Sequence, residues 1–128
     1  MEARVDLITI WTDDMEPMKE FYNRVLGFKL ENDLGRYVEF KNEGTRFAIC
    51  TREVMYEYSN EYKKQSTAQS FELAFRCKDA SDLNRSYEHI ISNGGTPVQK
   101  PRDMPWNQRT ALFSDPDGNI HEIFTEIQ

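Results

Sequence analysis

Along residues 5–11, Val-Asp-Leu-Ile-Thr-Ile-Trp, β-branched and apolar side chains recur with partial alternation and run into the acidic pair Asp13 and Asp14. That pattern predicts a strand ending at a helix cap. From Met15 onward, Met18, Phe21, Tyr22, Val25 and Leu26 recur at helical spacing, Pro17 falls where a first turn tolerates it, and Gly27 supplies a left-handed stop. Residues 37–40 and 45–50 read as two strands around Lys41-Asn42-Glu43-Gly44, a stretch suited to chain reversal, so a β-hairpin follows. Residues 51–69 hold no steady period, although Tyr56, Tyr58 and Tyr62 fit a short helical turn. A connector of this length inside a small domain is either a joint between halves or a functional lid.

The pattern then begins again. Residues 70–77 read as a strand, Asp79 caps a helix bearing Leu83, Tyr87, Ile90 and Ile91, and Asn93-Gly94-Gly95 ends it. A short strand near residues 96–98 leads into a loop with prolines. A hairpin of residues 109–114 and 119–126 closes the chain. A shift of 65 carries Asp14 onto Asp79, Met18 onto Leu83, Tyr22 onto Tyr87, Val25 onto Ile90 and Leu26 onto Ile91. A shift of 74 carries Gly44 onto Gly118, Phe47 onto His121, Ala48 onto Glu122 and Ile49 onto Ile123. Shared register and shared element order imply a tandem of two similar modules. The first spans about residues 4–52, the second about 70–127, with the connector at 53–69, all within one domain.

Composition narrows the function classes. A chain of 128 residues makes one domain that buries roughly 65% of its unfolded surface. Its 16 basic and 22 acidic residues leave a net charge of −6, which repels nucleic acid and anionic membranes. No apolar run approaches the roughly 18 residues of a membrane span, and the charged start lacks the apolar stretch of a signal peptide, so a cytoplasmic location is expected. Cys50 and Cys77 stand outside any C-x-x-C pair and suit reduced, buried thiols. The only histidines are His89 and His121, which limits metal and imidazole chemistry.

The tandem resembles the vicinal oxygen chelate superfamily of glyoxalases, extradiol dioxygenases, fosfomycin-modifying enzymes and bleomycin-resistance proteins. Two segments carry the likeness. Residues 21–28, Phe-Tyr-Asn-Arg-Val-Leu-Gly-Phe, are similar to the family's F-Y-x-x-x-L-G-F helix end, and residues 113–119, Phe-Ser-Asp-Pro-Asp-Gly-Asn, to its F-x-D-P-D-G-N hairpin. The resemblance implies an α+β fold of tandem βαβββ modules whose sheets curve into a ligand-holding cup. Both segments also have plain structural meanings, because Asp-Pro-Asp-Gly-Asn is good turn chemistry. An EF-hand is rejected, since Asp115 as its first position places Ile120 where that loop needs glycine.

In metal-using members, the resemblance further implies, four donors project from the first and last strands of the modules. The matching positions here are Leu7, Ala48, Glu72 and Glu122. Leu7 and Ala48 cannot donate, so no cofactor is expected; Glu72 and Glu122 with water could hold Mg²⁺ or Mn²⁺ only weakly. His121 points to the opposite sheet face from Glu122, and His89 rides on the second helix. Without a metal, the two glutamates form a general acid/base pair, accept a cationic ligand, or simply pair with Arg46, Arg76 or Arg109.

Strand parity places Thr9 and Trp11 with Leu7, Ala74 and Arg76 with Glu72, and Ile120 and Phe124 with Glu122; Ile8, Ile10, Leu73, Phe75 and Ile123 fall on the core side. Trp11, Arg76 and Phe124, with Trp106 and Arg109 at the rim, are the candidate ligand contacts. Three functions stay open. One is a metal-independent binder of a small organic molecule, of the bleomycin-resistance type. The second is a divergent lyase, isomerase or transferase using Glu122 and Glu72 with a weak ion or as an acid/base pair. The third is a purely structural interaction module. Family members commonly pair, so a homodimer is expected.

Overall fold

The computed structural model describes residues 1–128. In the first half, β1 (Leu7–Thr12), β2 (Leu30–Asp33), β3 (Tyr37–Phe40) and β4 (Arg46–Thr51) form a sheet in the order β1-β4-β3-β2. In the second half, β5 (Ala74–Arg76), β6 (Thr96–Met104), β7 (Gln108–Ser114) and β8 (Ile120–Glu126) repeat that order as β5-β8-β7-β6. Each sheet has one parallel pair, β1 with β4 and β5 with β8, and is otherwise antiparallel. The chain divides into units Met1–Thr67 and Ala68–Gln128.

The register repeats as well. Thr9 pairs with Ala48 and Ala74 with Glu122, related by the same shifts of 65 and 74 that align the two halves of the sequence.

In the first unit, α1 (Met15–Glu20) runs on into a π-helical turn at Phe21–Val25, where the Leu26 N–H reaches back five residues to the Phe21 carbonyl at 2.9 Å. The Phe28 N–H then bonds the Tyr22 carbonyl at 3.0 Å, closing the helix through Gly27 at φ 89°, a conformation other side chains resist. This closure turns Phe28 back onto the sheet, where its ring centroid lies 5.3 Å from Phe47, and Tyr22 lies 5.5 Å from Phe47 on another side. The Phe-Tyr motif therefore builds core: Met18, Tyr22, Val38 and Ile49 are completely buried.

In the second unit, α3 (Ala80–Ser92) covers β7 and β8 with Leu83, Tyr87 and Ile90, against Ala111, Phe113 and Ile123. Asp79 caps it, accepting from the Asp82 N–H at 2.7 Å. Asp14 occupies the same place before α1 but makes no side-chain cap bond; Thr12 Oγ1 takes the Asp14 N–H instead, at 3.0 Å.

The connector folds into α2 (Arg52–Tyr58) and a 3₁₀ turn at Asn60–Lys64. Three elements differ from the pattern reading. β2 lies wholly on exposed residues and gives no alternation to read. β6 runs nine residues through Pro97 and Pro101, tolerated because it is an edge strand with register shifts. β5 keeps only three of the eight residues expected at 70–77. No helix is long and apolar enough to cross a membrane.

Candidate functional site

On the second sheet, register assigns Ala74, Arg76, Leu112, Thr110, Glu122, Phe124 and Glu126 to one face, and Phe75, Ala111, Phe113, His121, Ile123 and Thr125 to the face under α3. Burial along β8 alternates accordingly, with His121, Ile123 and Thr125 buried and Glu122 and Phe124 half-buried. The open face thus carries four of the candidate residues: Glu72, just ahead of β5, Arg76, Glu122 and Phe124.

Their electrostatics divide along the strand. The Arg76 guanidinium lies over the Phe124 ring, 4.7 Å from its centroid, and its Nη1 donates to Glu126 Oε2. That bond holds the Glu126 carboxyl below the usual carboxylate range. Glu122 is pushed the other way, first by burial and then by the negative charge of Glu72. The arginines that parity made available to the two glutamates are committed elsewhere. Arg46 grips Glu39 with bonds of 2.9 and 2.7 Å, Arg76 takes Glu126, and Arg109 grips Asp103 with bonds of 2.7 and 3.3 Å.

Arg109 pairs in register with Thr125 and Asp103, which sets it on the side of the sheet away from Glu122. Trp106 stands in the turn between β6 and β7, 59% exposed, its Nε1 donating to Gln108 Oε1 at 3.1 Å. Trp11 belongs to the first unit, edge-on to Tyr62 with ring centroids 5.0 Å apart. It shares a face of the first sheet with Leu7, Ala48 and Cys50. Two contributors lay outside the sequence reading. Tyr37 joins that face of the first sheet and donates from its hydroxyl to Glu39 Oε1 at 3.0 Å. Glu126, the partner of Arg76, could have been found by strand parity, two residues beyond Phe124.

The donor set does not fit the metal of the family pattern. Leu7 and Ala48 offer hydrocarbon, and nowhere do three or more His, Cys, Asp or Glu side chains gather to hold an ion. His121 is 2% exposed on the helix side, and its Nδ1 accepts the Leu73 N–H at 3.1 Å. Both thiols, Cys50 and Cys77, are free and buried, and burial raises each above its usual range.

The connector carries a separate surface groove of about 550 Å³ between Tyr56, Tyr58, Asn60 and Lys63, but the glutamates on its wall, Glu53 and Glu57, both bind Arg36.

Residues 4–123 match the family profile of the Glyoxalase/Bleomycin resistance protein/Dioxygenase superfamily. The uncharacterized protein YraH of Bacillus subtilis is 35% identical over 124 residues, covering 91% of this chain and 94% of that protein. A glyoxalase/bleomycin resistance protein/dioxygenase from Nocardioides shares the fold at TM-score 0.84 with 22% identity, over 100% of this chain and 86% of its own. A family enzyme from Burkholderia phytofirmans does so at TM-score 0.87 with 18% identity, over 98% and 100%. The repeated strand order, the two motifs and the profile agree, and the chain belongs to the glyoxalase/bleomycin resistance protein/dioxygenase superfamily.

Proposed function

We propose that the open face of the second sheet binds a small organic molecule without a tightly held metal ion. The ligand bears a nitrogen donor for the carboxyl pair Glu72 and Glu122 and a flat apolar body for the Phe124 ring and its Arg76 cover. The observation that carries this reading is the state of Glu122. It is a half-buried carboxyl held above its usual range beside a second carboxylate, while Arg76, the arginine on the same face, serves Glu126. A ligand amine or amide N–H would relieve both the burial cost and the repulsion. Hydrocarbon at Leu7 and Ala48 supports recognition without a cation. Trp11, with Tyr62 at its edge, offers a further aromatic surface on the first sheet's own face.

The test is equilibrium dialysis against Mg²⁺, Mn²⁺, Zn²⁺ and Ni²⁺, followed by a melting screen of amine-bearing and amine-free aromatic compounds. The expected result is no stoichiometric metal uptake and a rise in melting temperature confined to amine-bearing compounds, lost in Glu122→Gln. Tight uptake of one ion per chain would sink the reading.

A second reading is favoured by the same raised carboxyl. Glu122 keeps its proton to higher pH than an ordinary glutamate, the property of a general acid, which points to a metal-independent lyase, isomerase or transferase. Activity on family substrates that survives chelation and disappears in Glu122→Gln would select it. Buried free thiols suit a reducing compartment, the cytoplasm. The resemblance to a family whose members commonly pair supports a homodimer, which sedimentation at dilute concentration reads directly.

A further inference from the structure

Glu72 sits on a stretch of chain that lies beside β8 without forming a strand. Where a ladder would run, one main-chain bond remains and side chains make the others. The Gln69 amide substitutes for a backbone peptide: its Oε1 accepts the Ile120 N–H at 2.7 Å, and its Nε2 donates to the Ile120 carbonyl at 2.7 Å and to the Phe71 carbonyl at 2.8 Å. Both hydrogens of that amide nitrogen are thereby used. Four residues on, the Leu73 N–H donates to His121 Nδ1 at 3.1 Å and the Leu73 carbonyl accepts the Glu122 N–H at 2.9 Å. Glu72 is held between these two fastenings.

The second fastening has a rigid base. The His121 ring is almost fully buried between Phe75 and Phe113, with centroids 6.1 and 6.0 Å away. Because Nδ1 accepts, it carries no hydrogen, and the other nitrogen, Nε2, faces Asp115 Oδ2 at 3.7 Å. Asp115 is itself pinned by the N–H groups of Asp117 and Asn119 at 3.0 and 2.9 Å and by the Asn119 side-chain amide at 2.9 Å. The Asp-Pro-Asp-Gly-Asn turn thus lies against the imidazole, and the imidazole holds Leu73, the neighbour of Glu72, by a hydrogen bond.

We propose that Gln69 and His121 are positioning residues that clamp residues 69–73 onto β8 and so hold Glu72 beside Glu122. The inference rests on the reading that this carboxyl pair meets the ligand, and it goes beyond that reading by naming what sets the pair's geometry.

The experiment follows the Glu122 carboxyl by ¹³C NMR titration in the full chain with labelled glutamate. The variants are Glu72→Gln, Gln69→Ala, His121→Phe and the double variant Gln69→Ala/Glu72→Gln. Glu72→Gln lowers the Glu122 midpoint toward the ordinary glutamate value. Gln69→Ala lowers it in the same direction, adds nothing once Glu72 is already Gln, and speeds amide exchange at Leu73. His121→Phe acts like Gln69→Ala. Should the buried substitution unfold the protein, Gln69→Ala, at an exposed position, still decides. A Glu122 midpoint unmoved by Gln69→Ala, or moved equally with and without Glu72, overturns the proposal. The ligand reading is judged separately: if the midpoints move as stated while amine-bearing compounds stabilise Gln69→Ala and Glu72→Gln as well as the wild type, the clamp stands and the binding role of the pair falls.

Discussion

Arg76 and Phe124 face each other across the parallel pair of β5 and β8, the guanidinium carbon 4.7 Å from the ring centroid, and their register makes them direct neighbours. The same guanidinium reaches Glu126, so its charge is balanced on one side and spread over an aromatic face on the other. Glu122, one alternation earlier on the same strand, has no such neutralising partner in the arginines and feels Glu72 instead. The open face is therefore graded along β8, from an acidic end to a neutralised, apolar one, and a ligand with a donor at one end and a flat body at the other matches that gradient.

The gradient makes a titration prediction. In a carboxyl-resolved NMR titration, Glu126 loses its proton below the ordinary glutamate range and Glu122 above it. Arg76→Ala moves Glu126 back up, because the largest cause of its shift is the Arg76 bond, and leaves Glu122 where it was. Joint movement of both carboxyls would mean that they titrate as one coupled group.

Stability should follow the sign of the Glu122 shift. A folded-state pKa above the unfolded one means that the stabilising contribution is complete below the unfolded value and is lost as the pH rises through the folded one. Above the folded-state midpoint the ionised Glu122 is therefore a cost to the fold. Glu122→Gln is expected to raise the melting temperature where the wild-type carboxyl is ionised and to give no gain at pH 3, where both side chains are neutral. A loss at pH 7 would show that the carboxylate form is the one the fold favours.

The aromatic cluster of the first unit sets a larger effect. Phe47 is 4% exposed and lies within 5.6 Å of Phe28, Phe40 and Tyr22, ring centre to ring centre. Phe47→Ala removes the ring that all three share and should cost about 3–5 kcal/mol, a large part of the roughly 5–15 kcal/mol that stabilises a typical domain. Urea denaturation followed by tryptophan fluorescence reads it directly. A cost under about 1 kcal/mol would mean that the cluster repacks around the gap.

What the sequence made legible was repetition. The shifts that matched Met18 with Leu83 and Ala48 with Glu122 also relate the observed strand registers, because burial on one helix face and one sheet face leaves a period in the sequence. β2 left none, since all four of its residues are exposed, and the shortness of β5 was hidden because Phe71 and Leu73 read as strand residues. Beyond Ala74 the side chains of Gln69 and His121, reaching across about fifty positions, take up main-chain groups that a regular ladder would pair, and such contacts leave no period in the sequence. The candidate site split along the same line. Parity put Arg76, Glu122 and Phe124 on one face; the unbroken register of β7 with β8 sets Arg109 opposite Thr125, on the other face, so its place at the rim does not follow from strand alternation.

The two helix starts supply a contrast that the duplication itself controls. Asp79 accepts the Asp82 N–H at 2.7 Å, while the Asp82 carboxylate accepts the Lys78 N–H at 2.9 Å, so two backbone donors at the helix start are satisfied by side chains. Asp14, at the corresponding position, makes no cap bond, and Thr12, fully buried, takes over by accepting the Asp14 N–H. Asp79→Ala should therefore cost about 1 kcal/mol, and Asp14→Ala only a few tenths. The missing share should reappear in Thr12→Val, which keeps the side-chain shape but removes the oxygen, at about 1 kcal/mol. Chemical denaturation of the three variants at pH 7 measures all of these. Equal losses for Asp14→Ala and Asp79→Ala, with none for Thr12→Val, would mean that both helices are capped alike in solution.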